Sequence, residues 1–316
     1  MATFNIYVSD GLSEDGLALL RTAGNVTSNP KVTPEELAAL LPDYDALIVR
    51  SRTKVKGALL EAGTKLKVVG RAGVGIDNID VAGAVKMGIT VVNSPMAASI
   101  TVAEHALGLM LAMARAIPQA DASIKAGRWE KSAFMGSELY GKQLGIMGLG
   151  RIGEQVAHLA AAFGMKVNAY DPFLNSEQII QRGAAPMSFA DILASSDYLS
   201  LHLPLTSTTR GLIGTTEIQS MKKGARVVSI SRGGIIDEVA LCEALENGHL
   251  AGAALDVFAN EPPHPCTITQ HPKVICTPHV GAQTHEAQAR AGLAIAEEVI
   301  TVLNGKEPRW KVLRNE

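Results

Sequence analysis

"GIMGLGRIG", residues 145–153, is the stretch whose reading decides the fold. The apolar run Leu144–Met147 leads into it, and the helical pattern "RIGEQVAHLAAAFG" leads out. Its glycines, Gly148, Gly150 and Gly153, have the spacing G-x-G-x-x-G. In a chain with 30 glycines that spacing alone is weak. Strand before, helix after and a following apolar run "KVNAYD" that ends in Asp171 give it weight. Gly148 permits a tight turn, Gly150 lets a pyrophosphate approach the backbone, and Gly153 lets helix and strand pack closely. The helix N-terminus aims amide donors at the phosphates. Asp171 is placed to accept hydrogen bonds from the adenine-side ribose and to repel a 2′-phosphate. "DPFLN" carries no arginine to hold such a phosphate, so NAD is expected in preference to NADP.

Outward from this stretch, short apolar runs alternate with amphipathic ones. "FNIYVS", "ALIVR", "LKVVGRA" and "ITVVN" read as strands before it. "QLGIMG", "MKVNAYD", "DYLSLHLP", "ARVVSISRG", "LAGAALDVF" and "KVICTPH" form a second series. Such alternation predicts parallel sheets with helices on both faces. A long helical stretch over residues 98–127, broken at Pro118 and apolar on more than one side, separates the series and is expected in a core or at a subunit interface. Another helix follows, closed by Gly305. The expected fold is α/β with two doubly wound parallel-sheet domains. Residues 98–283 form a Rossmann NAD-binding domain inserted into a flavodoxin-like substrate-binding domain of residues 1–97 and 284–316. A ligand is expected in a cleft between domains.

Composition excludes several classes. With 316 residues, 47% of them hydrophobic, and a formal net charge of −2, the chain is a folded protein without a basic field for nucleic acid or membrane. No apolar stretch reaches membrane-spanning length, and "MATFNIYVSD" does not read as a signal peptide. Cys242, Cys266 and Cys276 lack metal-ligand spacing. Reduced thiols, a cytoplasmic location and no metal are expected.

Three ionisable residues end apolar runs of the second series: Arg232 after "VVSIS", Glu261 in "LDVFANEPP" and His279 after "VICTP". An arginine is costly to desolvate unless an anion meets it. Gly233 and Gly234 beside it leave open the spot where an anion would sit. Arg232 suits a bidentate grip on a carboxylate and polarisation of the C2 oxygen. His279 suits proton transfer with a C2 hydroxyl, and Glu261 suits holding the imidazole in one tautomer. Asp256 reads as a nicotinamide contact, with a helix cap as the alternative. His105, His158, His249, His264, His271 and His285 read as structural.

With "VVGRAGVGIDNID", "ARAIPQADASIKAGRWEKSAFMG", "GKQLGIMGLGRIG", "SRGGIIDE", "AGAALDVFANEPP" and "TPHVGAQT" together, the chain resembles the D-isomer-specific 2-hydroxyacid dehydrogenases over nearly its whole length. The resemblance implies catalysis by Arg232, Glu261 and His279. It implies further cofactor contacts at Val74, Arg151, Ile152, Leu203, Pro204, Ile230, Ser231, Asp256, Gly281 and Ala282. Substrate contacts are implied at Gly73, Val74 and Gly75 for the carboxylate, and at Arg50, Ser51 and Arg71 for a distal anion. Lys131 is implied to reach in from a partner subunit. A homodimer built on helices near residues 99–127 follows, with a tetramer as the alternative. The expected reaction is NAD-dependent hydride transfer at C2 of D-3-phosphoglycerate, the first step of serine biosynthesis. In "NSPMAASITVAE", Ala98 stands where the family often has a second asparagine, so sulfolactate, hydroxypyruvate, glyoxylate or lactate are alternative acids. A remote alternative is an NAD(H)-sensing, corepressor-like protein. The chain stops soon after "NGKEPRW", and no serine feedback through a C-terminal regulatory domain is expected.

Overall fold

Runs of aliphatic and β-branched residues form strands, and helices carry the chain back to begin the next strand in the same direction. All paired strands are therefore parallel. The computed structural model describes residues 3–264 and 267–313. Cys266 lies outside the described residues. The chain divides into two compact units, residues 1–98 with 282–316, and residues 99–281. Ala98, Ala282 and Gln283, assigned by pattern to the larger domain, belong to the first unit.

The first unit contains β1 (Phe4–Val8), α1 (Glu14–Arg21), β2 (Gly24–Ser28), α2 (Pro34–Leu40), β3 (Ala46–Val49), α3 (Gly57–Ala62), β4 (Val68–Arg71), α4 (Val81–Lys86) and β5 (Thr90–Asn93). Its sheet order is β2-β1-β3-β4-β5, the flavodoxin-like order. Side chains alternate between two cores: Ile6, Val8, Ala46 and Ile48 lie in one, Tyr7, Leu47 and Val49 in the other. Both faces are covered, which is why "ALIV" is an unbroken apolar run.

The second unit contains α5 (Ser99–Ala114), α6 (Ile117–Lys125), β6 (Gln143–Met147), α7 (Arg151–Ala162), β7 (Lys166–Tyr170), α8 (Ser176–Gln181), β8 (Ala185–Pro186), α9 (Phe189–Ser195), β9 (Tyr198–Leu201), α10 (Thr215–Ser220), β10 (Arg226–Ser229), α11 (Glu238–Glu246), β11 (Gly252–Leu255), α12 (Thr267–Gln270) and β12 (Val274–Cys276). The order β12-β11-β10-β9-β6-β7-β8 reverses between β6 and β9, so the loops after these strands flank a switch point. The last helix, α13 (His285–Leu303), returns to the first unit and packs on α1 and β4.

The long helix breaks earlier than its proline. Ala116 is left-handed (φ +47°) and Pro118 sits in the first turn of α6. A proline there needs no amide partner, but its ring excludes a helical turn running back to Ala114. The two helices are bent by 62°. Among the described residues no single helix is long and apolar enough to cross a membrane.

At the switch point of the first sheet, Asp10 organises the loop after β3. Its carboxylate accepts from Arg50 N (2.7 Å), Thr53 N (3.1 Å), Thr53 Oγ1 (2.6 Å) and Arg52 Nε (3.1 Å). Burial works against the charged form, but these hydrogen bonds outweigh it and hold the carboxyl below its usual value. A depressed folded-state value means that Asp10 stabilises the fold above the unfolded value of about 3.9. That contribution is lost as pH falls through the lower folded value. Asp10→Ala is expected to cost about 3 kcal/mol at pH 7 in urea unfolding. Asp10→Asn is expected to flatten the acid limb of stability below about pH 4; an unchanged limb would show that the clamp does not titrate with folding.

Candidate active site

The dinucleotide loop is built by close approach. Gly148 follows β6 in a left-handed conformation (φ +88°), and a Cβ there would lie 2.8 Å from the carbonyl oxygen of His202. A Cβ on Gly153 would lie 2.2 Å from the carbonyl oxygen of Gly148. The turn, α7 and the end of β9 therefore fit together only without side chains at these positions. Gly150, the N-cap of α7, differs: a Cβ there would meet nothing within 4 Å. The space a phosphate needs is open above it, and the α7 amides face it. Arg151 and Ile152 form the first turn of α7.

Asp171 follows β7, and its oxygens accept from Leu149 N (2.9 Å) and Phe173 N (2.9 Å). These amides fix the carboxylate beside the glycine loop. Arg182, which the sequence reading missed, donates through Nη1 to Leu149 O at 2.6 Å. It lies outside "DPFLN", at the end of α8, so only the folded chain brings it to this loop. His202 was also missed. It follows β9, its Nε2 lies 2.8 Å from Ser200 Oγ, and burial pushes its imidazole down to about 4, so the ring is neutral at physiological pH. Its position between a buried strand and Leu203-Pro204 was the available signal. Leu203 reaches toward Gly148, and Pro204 O accepts from Thr209 Oγ1. After β10, Ile230 is buried and Ser231 carries a buried hydroxyl with no hydrogen-bond partner among the described residues. An open cradle at Gly150, a fixed carboxylate at Asp171 and an orphan hydroxyl at Ser231 fit a nicotinamide dinucleotide.

Arg232, Glu261 and His279 come together at the ends of β10, β11 and β12. His279 Nδ1 lies 2.7 Å from Glu261 Oε2, and Glu261 Oε1 accepts from Phe258 N at 3.1 Å. Burial disfavours the Glu261 carboxylate, but hydrogen bonds from His279 and Phe258 and the charges of His279 and Arg232 outweigh it, holding the carboxyl below its usual value. The contact places a proton on Nδ1 and leaves Nε2 as the exchanging atom. His279 and Glu261 keep 48% and 37% side-chain exposure, so a ligand can reach them. Arg232 Nη1 donates to Ser231 O at 2.6 Å.

Gly233, the first glycine after Arg232, serves another purpose than the one read from sequence. A Cβ on Gly233 would lie 1.8 Å from the carbonyl oxygen of Phe258, so backbone already fills the side its missing side chain leaves. Gly233 instead lets the Arg232 loop touch the loop that carries Glu261. Among the described residues Asp256 caps no helix. Its carboxylate accepts from Thr277 Oγ1 (2.6 Å), Val280 N (2.8 Å) and Gly281 N (2.9 Å).

In the first unit, Arg50 donates Nη2 to Gln283 Oε1 (3.4 Å), and burial lowers its guanidinium value against the opposing pull of Asp10. Ser51 is exposed. Arg71 Nη1 donates to Ala72 O (3.3 Å). The Gly73–Gly75 loop is braced from the end of β5: Gly73 N donates to Ser94 Oγ (2.7 Å), and Asn93 Nδ2 donates to Val74 O (2.8 Å). Asn78 Nδ2 binds the carbonyls of Arg50 and Thr53. Ala98 is buried. Ala282 O accepts from Gln288 Nε2 (2.9 Å). In the second unit, Lys131 opens a 3-10 turn, Lys131–Phe134, and is exposed. Cys242 is buried on α11, and Cys276 is exposed at the end of β12. Among the described residues no group of three or more side chains is placed to hold a metal ion.

Residues 107–281 match the NAD binding domain of the D-isomer specific 2-hydroxyacid dehydrogenases. The D-3-phosphoglycerate dehydrogenase of Bacillus subtilis (strain 168) is 48% identical over 305 residues, 96% of this chain and 57% of that protein. That of Methanocaldococcus jannaschii is 49% identical over 302 residues, 95% of this chain and 58% of that one. The chain thus spans somewhat over half the length of these relatives. A solved glyoxylate reductase from Paecilomyes thermophila superposes with a TM-score of 0.88 at 31% identity, covering 99% of both chains.

The two kinds of glycine predict opposite phenotypes. Gly150→Ala is expected to melt within a few degrees of the parent yet to lose its thermal shift with saturating NADH. Gly233→Ala is expected to lose about 2–3 kcal/mol of stability because the Phe258 backbone must move. Melting curves with and without NADH check both; retention of the NADH shift by Gly150→Ala would contradict the phosphate cradle.

Proposed function

The chain belongs to the D-isomer specific 2-hydroxyacid dehydrogenases, and on that premise we propose that it is an NAD-dependent D-3-phosphoglycerate dehydrogenase acting in the first step of serine biosynthesis. The observation that carries the chemistry is the 2.7 Å bond between His279 Nδ1 and Glu261 beside Arg232. The bound nicotinamide supplies the hydride carrier. In the oxidising direction His279 Nε2 takes the proton of the C2 hydroxyl, and in reduction it returns it. Glu261 keeps the ring oriented and stabilises its charge. Arg232 binds the substrate carboxylate and polarises the C2 oxygen. Asp171, with both oxygens fixed by amides, supports NAD over NADP. Arg182 at the same loop is turned to the Leu149 carbonyl.

The phosphorylated acid is supported by the likeness to the two phosphoglycerate dehydrogenases and by Arg50, which Asp10 and Gln283 hold in place. Arg50 with Ser51 and Arg71 is the proposed hold on the distal anion, and the backbone at Gly73, Val74 and Gly75 on the carboxylate. A homodimer is proposed on the exposed apolar side chains Ile117, Ile124, Trp129 and Met135, with Lys131 contributed to the partner's substrate. A second reading, another 2-hydroxy acid such as the achiral glycolate formed from glyoxylate, is favoured by Ala98, whose side chain makes no hydrogen bond, and by the glyoxylate reductase likeness.

NADH oxidation with 3-phosphohydroxypyruvate, hydroxypyruvate, sulfopyruvate, pyruvate and glyoxylate separates these readings. The proposal expects at least a hundredfold higher kcat/KM for the phosphorylated acid, about 2.7 kcal/mol. Arg50→Ala is expected to raise the KM for that acid tenfold or more and to leave that for glyoxylate nearly unchanged. A preference for an unphosphorylated acid, insensitive to Arg50, would overturn the substrate assignment.

A further inference from the structure

His279 adopts a left-handed backbone conformation (φ +52°), which a residue with a side chain keeps only where its surroundings hold it. One residue does most of the holding. Asp256 ends the run out of β11, and its side chain is 1% exposed. Its carbonyl accepts from His279 N at 2.9 Å. Its carboxylate accepts from the Thr277 hydroxyl and from the amides of Val280 and Gly281. Main chain and side chain of Asp256 thus grip the turn on both sides of the histidine. Burial works against this carboxylate, but hydrogen bonds from His105, Thr277, Val280 and Gly281 outweigh it and keep it charged below the usual range.

The partner that completes the grip comes from α5. His105 Nε2 lies 3.1 Å from Thr277 Oγ1 and 3.5 Å from Asp256 Oδ1. The Thr277 hydroxyl has a single hydrogen, and the 2.6 Å contact commits it to Asp256. Toward His105 that oxygen can only accept, so His105 carries its proton on Nε2. The donors run in one direction, from the His105 ring to the Thr277 hydroxyl to the Asp256 carboxylate. Val102, one turn earlier on α5, closes the same turn from above: a Cβ on Gly281 would be 3.7 Å from its methyl groups and 3.1 Å from Asp256 Oδ2. His105, structural on the sequence pattern alone, therefore has a role beyond packing.

We propose that His105 and Thr277 are positioning residues for His279: their hydrogen-bond relay fixes the Asp256 carboxylate, which holds turn 277–281 in the one conformation that aims His279 Nδ1 at Glu261. The proposal deepens the reading of His279 as the proton carrier and rests on it.

The test compares Thr277→Val, which removes the hydroxyl at equal volume, with Thr277→Ser, which keeps it, and with His105→Leu. In the full-length protein, Thr277→Val is expected to lower kcat tenfold or more for the best 2-oxo acid, with KM and the NADH Kd within threefold of the parent. Thr277→Ser is expected to restore most of that loss. A second readout needs no turnover: in protein labelled with 15N-histidine, the Nδ1–H proton of His279, assigned by its loss in His279→Asn, is expected downfield in the parent and in Thr277→Ser. It is expected to move or vanish in Thr277→Val and His105→Leu. Should Thr277→Val fail to fold, His105→Leu reads the relay from its other end. Unchanged kcat and an unchanged His279 signal in the folded variants would overturn the proposal. If no 2-oxo acid is turned over by the parent, the functional reading fails, and the imidazole signal still decides whether the relay positions the ring.

Discussion

The 2.7 Å hydrogen bond between His279 Nδ1 and Glu261 Oε2 is the contact on which the second unit's sheet edge depends. It joins loops that follow neighbouring strands, β11 and β12, and tolerates little slack in either. Each supporting feature limits that slack. Phe258 N fixes the second Glu261 oxygen, Gly233 lets the Arg232 loop press against Phe258, and Asp256 grips the turn on both sides of His279. The strained backbone at His279 is offset by these bonds, which is how a fold keeps such a residue in place.

The same device recurs at the ends of other strands. Parallel strands end together at one edge, where the loops present amides that the ladder no longer satisfies. Asp10 after β1, Asp171 after β7 and Asp256 after β11 each accept backbone amides from a neighbouring loop. For Asp10 and Asp256 the charged form survives burial because several donors converge on it. Each acid thereby shapes a different loop. Asp10 shapes the arginine loop after β3, Asp171 the glycine loop after β6, and Asp256 the histidine turn after β12.

Much of this was legible in the chain. Strands buried on both faces announce themselves as apolar runs, and Gly148, Gly153 and Asp171 occupy the places that their spacing implied. Of the four edge strands, β5 and β12 were legible as apolar runs, and β2 and β8 were not. β2, "GNVTS", is mostly exposed or half-buried, and β8 is two residues ending in a proline, so neither has an apolar run to read. The reason for Gly233 was misread because the nearness of the Phe258 backbone is a property of the folded loops alone. Arg182, Asn93, Ser94 and Asn78 escaped for the same cause: each meets a carbonyl or amide distant in sequence. Asp10 had a signal, an acid directly after a buried strand, which is where a doubly wound sheet needs a partner for loop amides.

In the proposed chemistry one imidazole, oriented by the Glu261 carboxylate, carries the proton in both directions. Hydrogen bonds from His279 and Phe258 hold Glu261 below the ordinary carboxyl range against burial, and the exchanged proton is assigned to Nε2 of the ring. The most direct measurement is the pH dependence of kcat/KM for reduction and for oxidation on the same preparation. A proton carried by His279 predicts limbs of opposite sign: reduction falls and oxidation rises as pH increases. Limbs of the same sign, or full activity of His279→Asn at any pH between them, would contradict it.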